Sequence, residues 1–353
     1  MTARRPVVRV LGPLPPPMHG ASAVTQRMVD ALQVNGSADI VTVDIGDGGT
    51  TSRRLRALLG GLLRFLPALV RRRPDAVYVG GAGGELLWYQ ALVVLLGRLA
   101  GHRIVFHHHN SSYLTRHLRA MALLVRWGGA RAHHVVLSRD MGERLQARYP
   151  AATTVLVCSN ASLMERSEQA ERDPVTATGP VVLGHLSNLT REKGVHVAIE
   201  TLRALLAAGV DARLVLAGPC VGDDVEALVS AAASELAGRL EVTGRLDAAQ
   251  VEAFYRDIDV FVFPSTYANE AEPLVVLDAL RHGVPAVAHD VGCLADLLPP
   301  DHVVPVGDDL PRAVLDLLHR GALEPADHAT ARFDERRVAA IEVRQGIVDL
   351  LVG

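Results

Sequence analysis

The sequence predicts an α/β protein with two doubly wound parallel sheets. Short runs of β-branched and apolar residues alternate with helical patterns along the chain, and one polar stretch interrupts this alternation near the middle. The length supports two units, because 353 residues exceed what one hydrophobic core usually organises. We therefore expect two Rossmann-like domains that face each other across a cleft, with ligands at the carboxyl ends of the strands.

Each predicted strand is a continuous apolar run of the kind found in parallel sheets. In the first half, the runs lie at residues 7–11, 40–43, 76–79, 103–106, 134–137 and 154–157. In the second half, they lie at residues 181–183, 213–216, 240–242, 260–263, 286–288 and 303–306. Helical patterns separate them, which is the order of elements in a doubly wound sheet.

The polar stretch predicts where the two domains join. It runs from Leu163 to Pro180 and contains Asp-Pro and Gly-Pro pairs, which are typical of linkers. We expect an N-terminal domain over residues 1–165, a linker over 166–180 and a C-terminal domain over 181–335. A last helix over 336–353 is predicted to pack back towards the N-terminal domain.

The two halves carry opposite charge. Residues 1–160 hold 20 arginines against 8 acids, giving +12, and residues 161–353 hold 16 cations against 31 acids, giving -15. A basic half suits nucleic acid, an anionic membrane surface or an anionic substrate. The chain has only 4% aromatic residues and no basic run with interleaved aromatics, so the sequence argues against nucleic acid as a partner.

Composition also bears on compartment and metal content. No apolar run reaches the length of a membrane span, and the first one, Val7 to Leu11, is too short for a signal peptide. We therefore expect a cytoplasmic protein. Cys158, Cys220 and Cys293 lie far apart, which predicts neither a disulfide framework nor a zinc site.

Residues 52–73 form a basic amphipathic pattern. Leucines recur at helical spacing among seven arginines, without any acid. Two interpretations stay open: a core-facing helix with a solvated basic face, or a peripheral contact with anionic lipid at the inner face of the membrane.

The chain has a single lysine. Of its 36 cationic residues, only Lys193 is not arginine, and it lies in the segment His185 to Gly194. A composition that nearly excludes lysine makes this position a candidate for a site. Two explanations remain, a chance survivor of codon bias and a functional ammonium group.

Residues 260–288 form the densest segment for chemistry. The pattern predicts a strand, a loop with Glu270, a helix that has Pro273 in its first turn, a turn at His282-Gly283 and another strand. The amides of Leu274 and Val275 would be unpaired at the helix N-terminus, which is a natural anion site. A diphosphate fits such a site.

This segment resembles the donor site of retaining GT-B glycosyltransferases of the family-4 (glycosyl transferases group 1) type. Their pattern places two glutamates eight positions apart, after Pro-Ser and before Ala-x-x-x-Gly-x-Pro; here these positions are Glu270 and Asp278. The resemblance implies that Glu270 contacts the donor sugar and that Asp278, one methylene shorter than the usual residue, holds the ribose hydroxyls. It covers most of the chain and is strongest from 181 to 300.

Other landmarks of the family can be placed. Gly20 lies in a segment that resembles the loop closing over donor and acceptor, and His109, with His108 as the fallback, resembles the histidine near the reaction centre. Lys193-Gly194 falls on the family's Lys-Gly pair, whose ammonium meets the donor diphosphate. The arginine usual five residues earlier is Asn188 here.

The resemblance assigns the site residues as follows. Glu270, Lys193 and His109 are the implied catalytic residues. The implied donor-binding residues are Gly20, Asn188, Arg191, Gly194, Ala271, Glu272, Pro273, Leu274, Val275 and Asp278. The N-terminal domain would bind the acceptor and the C-terminal domain the nucleotide sugar.

No metal or other cofactor is expected. Asp257 and Asp259 spell the D-x-D of metal-dependent transferases, but they precede a buried strand where the GT-B family itself carries an acid. Residues 107–109 are consecutive histidines, and neighbours on a strand point to opposite faces, so they do not converge easily on a metal.

The resemblance implies transfer of a sugar, with retention, from a nucleotide-diphosphate sugar to a glycan or lipid-linked acceptor. Two alternatives stay open: a nucleotide-sugar epimerase of the same architecture, and a non-catalytic nucleotide-sugar-binding module. Three departures from the family pattern leave room for the latter: Asn188 replaces the usual arginine, and Asp278 and Asp296 replace the usual glutamates.

Overall fold

The structure is a computed structural model that describes residues 5–16, 20–46, 75–167 and 179–353, together with Gly60 and Leu63. The amphipathic segment 52–73 and most of the predicted linker therefore lie outside the described residues, apart from those two positions. The chain divides into two compact units. Unit 1 contains Met1–Met164, Asn269–Glu272 and Arg337–Gly353, and unit 2 contains Glu165–Ala268 and Pro273–Arg336.

Unit 1 holds a six-stranded parallel sheet in the order β2-β1-β3-β4-β5-β6. Its strands are β1 (Val7–Gly12), β2 (Asp39–Asp44), β3 (Ala76–Gly81), β4 (Arg103–His108), β5 (Ala132–Val136) and β6 (Thr154–Val157). Its described helices before residue 164 are α1 (Gly20–Asn35), α2 (Leu86–Leu99), α3 (Ser112–Thr115), α4 (Arg119–Gly128) and α5 (Arg139–Arg148). The chain adds β2 on one side of β1 and β3 to β6 on the other side. The boundary between β1 and β3 is therefore the topological switch point of the sheet.

Unit 2 repeats this architecture with a sheet in the order β12-β11-β10-β7-β8-β9. Its strands are β7 (Val181–Leu186), β8 (Ala212–Ala217), β9 (Leu240–Gly244), β10 (Val260–Phe263), β11 (Ala286–His289) and β12 (Val303–Val304). Its helices are α6 (Val195–Ala207), α7 (Asp223–Glu235), α8 (Ala248–Asp257), α9 (Leu274–Arg281), α10 (Leu294–Leu297) and α11 (Leu310–His319). Its switch point lies between β7 and β10.

The predicted fold class is confirmed: two parallel six-stranded sheets with helices between the strands. The apolar runs become strands because both faces of a parallel sheet are covered by helices. β12 is shorter than its predicted run and ends before Pro305, whose ring removes the N–H that a ladder needs.

The last helix, α12 (Ala326–Val352), begins earlier than its predicted start at residue 336. Its final residues belong to unit 1, where Ile347 and Leu351 are fully buried in one cluster with Val8 and Met28. The earlier residues belong to unit 2. Within the described residues, none of the helices is both long enough and apolar enough to span a membrane.

Candidate functional site

The single lysine lies at the switch point of unit 2. The loop after β7 carries it, and the loop after β10 lies beside it, because β7 and β10 are neighbouring strands. The two loops are joined by a hydrogen bond of 2.8 Å from the Thr266 amide to the Glu192 carbonyl. This is the edge of a parallel sheet at which ligands usually bind.

A tight turn places Lys193 at the start of α6. The Lys193 amide donates to Thr190 Oγ1 at 3.0 Å, and the Gly194 amide donates to the Arg191 carbonyl at 2.9 Å. The Lys193 ammonium lies 4.7 Å from the ring centroid of Tyr267, within cation–π range. The turn and the aromatic ring together limit where the ammonium can go.

Gly194 is required by the shape of this turn. Its φ is +81°, and a Cβ added there would lie 2.2 Å from the Pro264 carbonyl oxygen. The backbone of the turn therefore sits directly against the end of β10, an approach that only glycine permits.

Replacing Gly194 with alanine is expected to lower the free energy of unfolding by about 1–3 kcal/mol, from backbone strain and the contact with Pro264. Gly209→Ala is the matched control, since Gly209 has the same φ of +81° and no atom of the described part of the chain within 4 Å of the place that its new methyl group would take. Chemical denaturation measures the free energy of unfolding of both variants. The additional loss in Gly194→Ala over Gly209→Ala is the cost of the contact with Pro264. Equal losses would show that Pro264 imposes no constraint on residue 194.

The two polar residues near Lys193 have different surroundings. Asn188 is exposed, and its carbonyl accepts a hydrogen bond from Ser187 Oγ at 3.1 Å. Arg191 is exposed and pairs with Asp224 at 2.9 Å, which lowers the pKa of that carboxyl group. A donor phosphate would have to compete with Asp224 for the Arg191 guanidinium.

Helix α9 begins at Leu274, so the prediction that Pro273 lies in its first turn was wrong by one position. Pro273 is the N-cap, with ψ at 119°, and its carbonyl accepts from Val276 at 3.1 Å. The helix ends as predicted, with His282 as C-cap and Gly283 at a φ of +69°. By the geometry of a helix start, the amides of Leu274 and Val275 lack intrahelical acceptors.

Asp278 lies inside α9 within a charged network. Its carboxylate accepts from Arg281 Nε at 2.7 Å, and the same guanidinium also bonds Glu252. His282 contacts the other oxygen of Glu252 at 2.6 Å. Asp278 is therefore held in place by Arg281, and a ribose would have to share this carboxylate.

The loop with Glu270 belongs to unit 1. Glu270 is 9% exposed, and its backbone carbonyl accepts a hydrogen bond from Ser111 Oγ, two residues after His109. Ala271 is buried beside it. Unit 1 therefore holds two of the sequence-predicted catalytic residues, Glu270 and His109, on segments joined by this bond.

Glu272 is buried and its carboxylate binds protein groups. It accepts from Ser159 Oγ at 2.9 Å and from the Asn160 amide at 2.6 Å, while Asn160 Nδ2 donates to the Glu272 carbonyl at 3.3 Å. Charge-assisted bonds of this kind are about twice as strong as neutral ones. Glu272 thus anchors the Glu270 loop to the one-turn 3₁₀ helix Asn160–Leu163.

Consecutive histidines at the end of β4 point to alternate sides, as the strand period predicts. His107 and His109 share one side, with ring centroids 4.1 Å apart. On the other side, His108 Nε2 lies 3.1 Å from His134 Nδ1. His109 Nε2 is buried and has no hydrogen-bond partner among the residues that the structure describes, so it is a nitrogen that a ligand could satisfy.

These histidines are held neutral. Burial lowers the pKa of His109 and of His134 to about 4, and it lowers the pKa of His107 and His108 well below the ordinary value. His185 in unit 2 is also buried, with a pKa of about 4.

Acid should destabilise unit 1 through these groups. The pKa of His134 in the folded protein lies below the unfolded value near 6.5. Protons therefore bind the unfolded state first, and the contribution of His134 to the free energy of unfolding is complete above pH 6.5 and is lost as the pH falls towards 4. Between pH 7.5 and pH 5.5, the free energy of unfolding should fall by about 1 kcal/mol less in His134→Gln than in the parent protein. Urea denaturation at both pH values measures it, with His117→Gln, an exposed histidine, as control. An unchanged pH dependence in His134→Gln would contradict the account.

Gly20 is the first residue of α1, and no atom of the described residues lies within 4 Å of the place that a Cβ would take there. The structure therefore places Gly20 at the start of a helix without showing a steric need for glycine. The preceding residues 17–19 lie outside the described residues.

The Asp257-x-Asp259 pair has a structural partner. Asp259 Oδ2 accepts from the Val182 amide at 2.8 Å, at the amino end of β7 and opposite the end that carries Lys193. Across the described parts of the chain, no cluster of three or more His, Cys, Asp or Glu side chains is arranged to hold a metal ion.

The site residues thus fall into two groups. Unit 2 contains Asn188, Arg191, Lys193 and Gly194 on one loop and residues 273–278 on a second segment. Unit 1 contains Gly20, His109 and residues 270–272. Sequence reasoning missed Tyr267, Ser111 and Ser159. Tyr267 could have been suspected, because it lies in the loop after a buried strand and beside the predicted Glu270.

Comparison with known proteins relates part of the chain to a family model. Residues 167–331 match the family model described as glycosyl transferases group 1. A glycogen synthase from Halorhodospira halophila is 33% identical over 155 residues, which are 42% of this chain and 31% of that protein. The alignment therefore spans about a third of the length of this curated relative.

Solved structures support the fold over nearly the whole chain. Anabaena HepE in complex with UDP-glucose superposes with a TM-score of 0.69 at 16% identity, covering 97% of this chain and 99% of that chain. Sucrose-phosphate synthase from Thermosynechococcus elongatus gives 0.68 at 17% identity, covering 98% of both. Residues 167–331 therefore match the glycosyl transferases group 1 family, within a chain that has the two-domain α/β fold of GT-B glycosyltransferases.

Proposed function

We propose that this protein is a glycosyltransferase that moves a sugar from a nucleotide-diphosphate sugar to an acceptor. The observation that carries the proposal is the turn at Lys193-Gly194, which holds the only lysine of the chain at the switch point of a sheet within the family-matched region. A fixed ammonium at this edge suits a diphosphate.

The reaction requires the nucleoside diphosphate to leave the anomeric carbon. Negative charge grows on the β-phosphate as that bond breaks, and groups that stabilise this charge in the transition state raise the rate. In the proposal, the Lys193 ammonium and the amides of Leu274 and Val275 supply that stabilisation, and Asp278 binds the ribose hydroxyls. Asn188, Arg191 and Gly194 complete the loop around the diphosphate.

Unit 1 contributes the residues proposed to face the sugar. Glu270 orients the donor sugar, with Ala271 and Glu272 holding its loop, while His109 lies at the reaction centre and Gly20 starts the helix beside the closing loop. The neutral state of His109 suits hydrogen bonding to a sugar hydroxyl, because burial keeps its pKa at about 4.

Retention of configuration and independence from metal are further parts of the proposal. In a retaining reaction of this type the acceptor attacks from the face of the leaving group, and a phosphate oxygen takes its proton. Activity that survives excess EDTA would support metal independence, and anomeric analysis of the product by NMR would test retention. A product of inverted configuration would overturn that part.

The proposed acceptor is a glycan or a lipid-linked glycan, used in the cytoplasm at the inner face of the membrane. The basic N-terminal half, with a charge of +12 over residues 1–160, supports an anionic or lipid-linked acceptor. Residues 52–73, which lie outside the described residues except for Gly60 and Leu63, are the segment that we proposed from the sequence for a peripheral membrane contact.

The donor is found first by thermal shift with UDP, GDP and dTDP sugars. Release of the nucleoside diphosphate is then measured with and without cell extract as the source of acceptor. Release that depends on the extract supports transfer. Conversion of the donor sugar without any acceptor would favour an epimerase, and binding with no turnover under either condition would favour a binding module.

A further inference from the structure

Helix α2 carries an apolar stripe on its outer side. Trp88, Leu92 and Leu99 are 52%, 37% and 68% exposed, and their spacing of four and seven residues places them along one face of the helix. The other large exposed apolar residues in the described part of the chain are Leu63 and six valines outside α2 and α4. Three such side chains on one helix face form a contiguous apolar patch. Larger patches of this kind on soluble proteins usually mark interaction sites.

Helix α4 packs against α2 and extends this surface. The two helices share an extensive contact, and Arg98 of α2 donates to the carbonyl of Trp127, at the end of α4, at 2.9 Å. Trp127 and Leu123 are half-buried, while Arg119 and Arg126 on the same helix are exposed. We call the exposed sides of α2 and α4 the α2/α4 surface.

The sequences of α2 and α4 themselves contain no acid. From residue 86 to residue 139 there is neither aspartate nor glutamate, although the whole chain has more acids than cations. The arginines in this range are Arg98, Arg103, Arg116, Arg119, Arg126, Arg131 and Arg139. One acid borders the patch: Glu85, which is exposed at the N-cap of α2, three residues before Trp88. Arg98, Arg119 and Arg126 are exposed on the two helices, so the cations outnumber this carboxylate. A patch that combines exposed tryptophan and leucine with a net positive charge is complementary to a surface that is negatively charged outside and apolar beneath.

We propose that the α2/α4 surface docks unit 1 on an anionic lipid bilayer. Trp88, Leu92 and Leu99 enter the boundary between headgroups and acyl chains, where tryptophan is favoured, and Arg119 and Arg126 meet the lipid phosphates. In this binding mode, burial of the apolar helix face and attraction of the arginines to anionic lipid both contribute to the free energy of membrane binding. The surface is separate in sequence from residues 52–73, and it serves membrane binding whether or not the proposed transfer reaction is correct.

Tryptophan fluorescence reads this surface directly. Trp88 and Trp127 are the only tryptophans of the chain, and they lie on α2 and α4. We expect a blue shift of the emission when phosphatidylglycerol/phosphatidylcholine vesicles are added, and no shift with phosphatidylcholine alone. The Trp127→Phe variant leaves Trp88 as the sole reporter, and it should be quenched by lipids brominated near the headgroup end of the acyl chains.

Two variants test the two parts of the surface by vesicle sedimentation. Leu92→Ser/Leu99→Ser removes apolar area, and Arg119→Gln/Arg126→Gln removes two cations, with an expected loss in partitioning of about fivefold for each cation. The matched controls should bind as the parent does. They are Val34→Ser, at an 88% exposed position of α1, and Arg312→Gln/Arg320→Gln, at exposed positions within and just after α11.

The outcomes separate the possible occupants. Reduced binding in both test variants, with salt-sensitive binding of the parent, supports the proposal; if the leucine variant does not fold, the exposed arginine pair decides alone. Unchanged binding in the arginine variant, or no binding of the parent to anionic vesicles, would overturn it. So would a parent dimer in lipid-free gel filtration that Leu92→Ser/Leu99→Ser converts to monomer, because the occupant would then be a second copy. Donor binding, measured separately by thermal shift, distinguishes failure of this inference from failure of the proposed function.

Discussion

Replacing Lys193 with alanine is expected to lower kcat by about 10²–10³-fold, the effect of losing one donor that stabilises a developing anion. The loss should appear in kcat more than in KM, because the charge on the leaving phosphate is largest in the transition state. The measurement is steady-state release of the nucleoside diphosphate with the donor identified by thermal shift.

Two controls sharpen this expectation. Lys193→Arg keeps the charge and the contact with the Tyr267 ring but changes the geometry of the donor group, so part of the activity should return. Arg213→Ala removes an exposed cation from β8 in the same unit and should leave kcat unchanged. Near-normal turnover in Lys193→Ala would show that Lys193 is not part of the catalytic site.

The second large effect is expected at Glu272. Replacing it with alanine leaves the buried Ser159 hydroxyl and Asn160 amide without their carboxylate, at a cost of about 1–3 kcal/mol for each unsatisfied group. The turn that holds Glu272 is itself tied to α12, since the Arg344 guanidinium donates to the Ser162 carbonyl. The loop with Glu270 would thus lose its carboxylate contacts with this turn and keep the bonds that Ser111 and Asn160 donate to its backbone. A less firmly held Glu270 should lower kcat by roughly tenfold or more.

A double-mutant cycle distinguishes positioning from general destabilisation. Glu272→Gln keeps an acceptor for both groups and should recover most of kcat, while Ser159→Ala should cost less than Glu272→Ala. Adding Ser159→Ala to Glu272→Ala should then cause little further loss, because the two side chains act through one contact. Fully additive losses in kcat, with no recovery in Glu272→Gln, would show that Glu272 does not position the loop.

The sequence predicted much of the fold because parallel strands that are buried on both faces leave a simple pattern of apolar runs. It also predicted that Lys193-Gly194 and residues 270–278 each follow a strand. These strands are β7 and β10, which are neighbours at the switch point of one sheet. Gly194 could be understood only from the structure, because its need for glycine comes from Pro264, a residue distant in the sequence.

Contacts between distant segments explain what sequence reasoning missed. Glu272 was assigned to the donor from its place beside Glu270, yet its carboxylate meets Ser159 and Asn160, more than 110 residues earlier. Likewise, Arg281 stands one turn after Asp278, and its pairing with Glu252 depends on the packing of α8 against α9. No local pattern marks such pairings.

The most direct test uses the fact that the chain has a single lysine. Acetylation by an amine-selective reagent, followed by mass spectrometry, labels Lys193 and the chain's terminal amine, and the latter serves as an internal reference. If Lys193 meets the donor diphosphate, a saturating amount of the best-binding nucleoside diphosphate should slow acetylation of Lys193 at least about tenfold while leaving the reference unchanged. Equal labelling rates of Lys193 with and without bound nucleotide would contradict the account.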